Sequence, residues 1–214
     1  FGTSCNFNNV YAVVVPRTNI ETEAYLSQTQ KQLISQSLES VKLLSTNISF
    51  VDPTYMAVAI GSWGFIQESN ATTGIITPSQ VDVSVEDTTV LQIIRSQNIK
   101  VSNDSLILRT REIIIEYFNS LNTSLGQSID VRALEQLILN VEGIESLRTV
   151  RTDNEIIIHN GLSFLVWNPV YTGNIGSGRG IGDIHVLTGS MKLLEFQIPY
   201  LYDINKLYSK IQVI

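Results

Sequence analysis

The chain has 214 residues, of which 43% are hydrophobic and 16% charged, with 14 basic against 20 acidic residues and a net charge of −6. That is enough apolar material for a core, which excludes a disordered or fibrous chain. The charged fraction lies well below the roughly 25% of an average soluble domain, and 55 Ser, Thr and Asn residues take its place. Clustered positive charge is missing, so nucleic acid is excluded as an expected partner. The longest compact apolar run, Tyr55 to Ile60, is strand-sized, and no membrane span is expected. Cys5 is the only cysteine, which rules out an internal disulfide and a cysteine-built metal site. Four Asn-x-Ser/Thr sequons, at Asn47, Asn70, Asn103 and Asn122, are what so Asn- and Ser-rich a chain produces by chance. With no signal peptide in view, secretion is not expected, and a start at Phe1 within a few residues of an apolar run reads as a fragment of something longer.

In chain order, Asn9 to Pro16 reads as a strand closed by proline. Thr18 and Glu21 have capping-box spacing, and Leu26, Leu33, Ile34, Leu38, Val41 and Leu44 follow on one helical stripe expected to face a core. Ile48 to Asp52 and Tyr55 to Ile60 suit buried strands, the second continuing toward Ile66. Residues 67 to 80 read as a loop, and Val81, Val83 and Val85 as a strand with one wet face. After an unassigned stretch to Val101, a second helix is expected from Asn103 or Asp104 to Leu121, with Ile107, Thr110, Ile114, Tyr117, Phe118 and Leu121 on one side. A third, short helix has Asp130 as N-cap and Ile129 with Leu134 as hydrophobic staple. Val131, Leu134, Ile138 and Val141 form its stripe, and Gly143 its stop.

Beyond residue 145 the texture is strands and turns. Asn160-Gly161 between Glu155–His159 and Leu162–Trp167 predicts a hairpin with a type I′ turn. A second hairpin is expected from Asp183 to Pro199 about Gly189-Ser190, and one or two helical turns from Asp203 to Lys210. The expected fold is α+β: a strand-helix-strand unit with a helical pair in residues 1–150, and a small interface-forming β-hairpin region in 151–214.

No constellation for catalysis stands out. Gly176 to Gly182 holds alternating glycines around Arg179, but a strand-like segment follows it where a phosphate loop needs a helix N-terminus. His159 and His185 lack metal-ligand spacing and read as ordinary strand histidines; no G-x-S-x-G elbow is present. The chain is therefore expected to be no enzyme, with no cofactor, metal or small-molecule substrate. Aromatic residues at strand ends and in loops, together with Arg179, are the candidate interface: Trp167, Tyr171, Arg179, Tyr200 and Tyr202. For the tryptophans, plugging the end of a core is an equally good reading.

The order of these pieces resembles the baseplate J-like family of contractile-tail proteins. The residues that carry the resemblance are the proline-ended strand, Val51-Asp-Pro-Thr-Tyr55, and Glu116-Tyr-Phe-Asn-Ser-Leu121 closing a helix. Leu125-Gly126 follows, then Ile129 with a short helix running into Val141-Glu-Gly-Ile144. It spans about residues 9 to 150. The resemblance implies a non-enzymatic virion protein of the tail baseplate, assembled in the host cytoplasm. It also implies the C-terminal part of a longer chain that pairs with copies of itself and with other wedge proteins. A receptor- or glycan-binding tail module is the alternative, from the Asn/Ser/Thr-rich, aromatic-bearing β region.

Overall fold

The computed structural model describes residues 9–16, 25–41, 46–61, 89–122, 124–152, 155–168, 184–202 and 204–214. The fold is α+β, with three helices and twelve strands among those residues. In chain order the elements are β1 (Asn9–Val13), α1 (Gln28–Leu38), β2 (Asn47–Val51), β3 (Thr54–Ile60), β4 (Thr89–Arg95), α2 (Asn103–Leu121), β5 (Ser128–Asp130) and α3 (Val131–Leu139). They continue as β6 (Ile144–Arg151), β7 (Ile156–His159), β8 (Phe164–Trp167), β9 (Ile184–Leu187), β10 (Ser190–Lys192), β11 (Gln197–Leu201) and β12 (Ile211–Val213).

Two four-stranded sheets carry the fold, in the orders β11-β3-β8-β9 and β12-β4-β6-β7. β3 lies between β11, which runs parallel to it, and β8, which runs antiparallel. Alternation along β3 sends Met56, Val58 and Ile60 into one core and Tyr55, Ala57 and Ala59 into another. The first core is the larger. It gathers Phe164 and Val166 of β8, Leu91 and Ile93 of β4 and Leu147 of β6. The buried faces of α2 (Leu106, Ile113, Ile114, Phe118) and α3 (Val131, Leu134, Ile138) close it.

The helices form where local chemistry dictates. Ser102 caps α2 by accepting from the Ser105 N–H at 3.2 Å, and Asp130 caps α3 by accepting from the Ala133 N–H at 3.0 Å. Ile129 and Leu134, both fully buried, occupy the staple positions. α3 ends at Leu139 with Asn140 as its cap, and Gly143, three residues later, takes φ +99° in the turn that leads to β6. Tyr117 ties the two helices: its hydroxyl accepts from the Asp130 N–H at 2.6 Å and donates to the Asp130 C=O at 3.0 Å.

Several expectations are corrected. α1 is capped by Ser27, which with Gln30 forms the capping box actually present, at 3.3 and 2.8 Å. Thr18, Glu21 and Leu44 lie outside the described residues, as do residues 67–80 and Val81 to Val85. α1 has no buried residue, and on its expected core stripe Leu33 and Val41 are 60% and 74% exposed. Neither hairpin forms. β7 pairs with β6 whereas β8 pairs with β3 and β9, so the strands on either side of Asn160-Gly161 belong to different sheets. A type I′ turn needs positive φ at both central residues. Gly161 has φ +143°, but Glu155 is the only non-glycine of positive φ among the described residues. Gly161 instead lies against the Glu135 carboxylate, which accepts from the Leu162 N–H at 3.2 Å. β9, β10 and β11 likewise join three different partners, β8, β5 and β3. The segment from Ile204 makes hydrogen-bonded turns and then β12, which runs parallel to β4. The unassigned stretch before Val101 contains β4, a core strand.

Strands from 151–214 therefore complete both sheets begun in 1–150. A buried network joins them: the Thr149 hydroxyl donates to the Gly161 C=O at 2.8 Å and accepts from the Ser163 N–H at 3.1 Å. The Ser163 hydroxyl donates to the Gly61 C=O at 3.0 Å.

Removing the Tyr117 hydroxyl tests the α2–α3 tie. Tyr117→Phe leaves the Asp130 N–H without its acceptor and is expected to cost roughly 1–3 kcal/mol in urea unfolding. Burial, with the nearby Asp130 carboxylate, also holds the Tyr117 pKa above its ordinary value, against the opposing effect of its backbone hydrogen bond. Between the unfolded and folded values the folded state binds more protons, so its stability falls as pH rises past about 10. That alkaline loss is expected to be smaller in Tyr117→Phe, read as the difference between the two proteins' unfolding midpoints across pH.

A second variant probes the misread turn. Gly161→Ala forces a side chain onto φ +143° and sets its Cβ 2.7 Å from Glu135 Oε2, so it is expected to destabilise by about 1–3 kcal/mol. An unchanged melting temperature would show that the turn relaxes freely.

Candidate interface

Of the five residues singled out by sequence, Tyr171 and Arg179 lie outside the described residues. Trp167, at the end of β8, is 3% exposed, and Tyr200, on β11, is 7% exposed. Both belong to the second core, on the face of β3 opposite the helices, together with Tyr55, Leu165 and Ile198. They are core residues: Trp167 takes the core position that was its alternative reading, and for Tyr200 this corrects its reading as interface. Of the three described candidates only Tyr202 is exposed, at 41%, and its ring meets that of Trp167 edge-on at a centroid distance of 5.0 Å. A separate aromatic series joins Tyr200 to Tyr55 at 6.1 Å and Tyr55 to the exposed Tyr25 at 5.4 Å.

Two other surfaces carry unspent interaction capacity. The first is the β1–α1–β2 unit. β1 and β2 pair only with each other among the described strands, in parallel, and Val10, Tyr11, Leu33, Val41 and Val51 are all exposed. A salt bridge of 2.7 Å between Lys31 and Asp52 anchors α1 to the chain entering β3. Exposed apolar side chains gathered on one unit in this way make it a candidate interaction surface.

The second is the outer face of the β12-β4-β6-β7 sheet, turned away from the core. Register places Gln92 beside Arg148 on one side and beside Gln212 on the other. Arg148 Nε donates to Gln92 Oε1 at 2.8 Å, and Gln92 Nε2 donates to Gln212 Oε1 at 3.5 Å. Aliphatic side chains flank this polar row. Arg148 borders two shallow depressions: one of about 340 Å³ toward Val150, Glu155 and Ile157, and one of about 610 Å³ toward Ile94, Arg95 and Ile214. Sequence reasoning missed this face. The readable signal was the period-two placement of Gln92 within the apolar run Val90–Ile94, which marks a strand with one polar-bearing face.

Among the described residues no three His, Cys, Asp or Glu side chains gather into a group fit for a metal ion. His159 is half-buried on β7, and the side chain of His185 lies outside the described residues. No helix among the described residues is long and apolar enough to cross a membrane. No family model matches the chain, and no curated protein matches it by sequence.

The burial of the aromatics separates two substitutions. Trp167→Ala empties a core position and is expected to cost about 3–5 kcal/mol, whereas Tyr202→Ala at the surface is expected to cost about 1 kcal/mol or less. Chemical unfolding of both variants measures the gap.

Proposed function

We propose that this chain is a non-enzymatic structural subunit of a contractile-tail phage baseplate wedge of the T-even type. In this reading it associates with copies of itself and binds other wedge proteins to build the ring around the tail hub, within the virion. The observation that carries the reading is α1. Its sequence is amphipathic, yet none of its residues is buried: Leu33 is exposed and Ile34 and Leu38 are only half-buried, in a unit whose strands also expose Tyr11 and Val51. A helix with an unspent apolar face is what a subunit that completes its packing on assembly would present. The segments that resemble the baseplate J-like family support it from another side, since they fall at structural junctions. Val51 to Tyr55 joins β2 to β3, Glu116 to Leu121 closes α2, and Val141 to Ile144 leads into β6.

Light scattering on the protein, alone and mixed with other wedge proteins, tests the proposal. Association is expected, and the double variant Tyr11→Ser, Leu33→Ser is expected to weaken it at least about tenfold while shifting stability by about 0.5 kcal/mol or less. A strictly monomeric protein that binds no wedge protein would refute it.

A second reading, a receptor- or glycan-binding tail module, is favoured by the exposed Tyr202 ring against Trp167, since aromatic faces stack on sugars. A glycan array showing signal that Tyr202→Ala abolishes would select that reading, and a blank array would dismiss it.

A further inference from the structure

We infer that the outer face of the β12-β4-β6-β7 sheet is a docking site for an acidic protein segment, in which Arg148 receives a glutamate or aspartate carboxylate flanked by aliphatic side chains. The inference deepens the reading of the chain as an assembly subunit, on which it rests for expecting a protein as the ligand.

Arg148 sits half-buried near the middle of the face. Its Nε is held by Gln92, which in turn donates to Gln212, so the guanidinium is oriented by two carboxamides on the strands β4 and β12. Neither Nη has a partner among the described residues, although each carries two donors. Glu155 borders the same depression without forming an ion pair with it. A pre-oriented guanidinium with its fork unspent fits a carboxylate in bidentate geometry, the arrangement in which Arg is strongest and most selective.

The surroundings choose the carrier of that carboxylate. Ile94, Ile157 and Ile214 leave aliphatic surface around the fork, which would exclude water from the pair and enclose the stem of an acidic side chain. A phosphate ordinarily gathers several cationic or N–H donors. Here the other guanidinium that borders the depression is engaged elsewhere: Arg95 donates to Asn103 Oδ1 at 3.3 Å and to the Ile99 C=O at 3.2 Å. The chain's net charge of −6 does not prevent docking, because at physiological salt charges farther than about 8 Å are largely screened.

Fluorescence anisotropy on the intact protein tests this with fluorescein-labelled peptides carrying one glutamate between aliphatic residues. Saturable binding is expected, about tenfold or more weaker when glutamine replaces the glutamate, and weakened similarly by Arg148→Gln. Arg148→Lys, which keeps the charge and loses the fork, is expected to fall between. Circular dichroism and melting temperature confirm that each variant is folded, and Gln212→Ala, which loosens the orienting row without altering charge, is expected to weaken binding severalfold.

Equal affinity for glutamate and glutamine peptides, indifference to Arg148→Gln, or no saturable binding would overturn the proposal. Inorganic phosphate that displaces the peptide more effectively than acetate would also overturn it, by showing a general anion site. Light scattering in the same buffer separates the two readings. A protein that binds the glutamate peptide but never associates would sink the assembly reading and leave this site standing, while the reverse result would sink the site alone.

Discussion

The structure depends on β3 being buried on both faces. Every residue from Tyr55 to Ile60 is buried, and alternate side chains enter two different cores. A strand of this composition cannot sit at a surface, because either face left open would expose a row of large apolar groups to water. It must therefore have neighbours on both edges and cover on both faces. β11 and β8 supply the edges, and α2, α3 and the second sheet supply the larger cover. Small residues make the arrangement compact: Ala57 and Ala59 leave room for the Trp167 and Tyr200 rings on one face, while Met56, Val58 and Ile60 fill the other.

This demand explains why the last third of the chain cannot be a separate hairpin region. β8 and β11 are the flanks of β3, β9 extends the sheet beyond β8, and β12 extends the sheet of β4. Without them residues 1–150 would retain β3 with two naked edges, each a template for wrong pairing. The polar network at Thr149, Ser163, Gly61 and Gly161 makes the same point in hydrogen bonds. Two fully buried hydroxyls are satisfied only because β6, β8 and the end of β3 converge.

What was legible in the sequence divides by range. α2 and α3 were readable nearly to the residue, because a cap such as Asp130 and a staple such as Ile129 with Leu134 act within one turn. Strand character was readable in β3, where a short apolar run says buried. Strand partners were not, since β3 meets β11 across more than a hundred residues of chain. Asn160-Gly161 is the instructive failure. The dipeptide favours a tight turn, but the apolar residues Leu162, Phe164 and Val166 gain more by joining the core beside β3 than by pairing back on the exposed Ile156 and Ile157. Of the Arg148 face only Gln92, set within the apolar run Val90–Ile94, was a signal: the three polar residues come from β12, β4 and β6, and only register brings them into a row.

The low charge acquires a physical role from that row. On the outer face of a sheet that leaves aliphatic surface exposed, a chain must place polar groups without making burial prohibitive. Desolvating an ion costs several kcal/mol even after relaxation, whereas a carboxamide engaged by another carboxamide costs far less to cover. Gln92 and Gln212 are such groups: Gln92 donates to Gln212 and accepts from Arg148, the ion that an acidic partner would neutralise. With Arg95 engaged by Asn103 and the Ile99 C=O, covering the row itself chiefly desolvates the Arg148 guanidinium, and that cost is offset by a carboxylate arriving in the right place. In the proposed docking, sparse charge would work as selectivity, since an apolar segment without an acid would leave the guanidinium buried and unpaired.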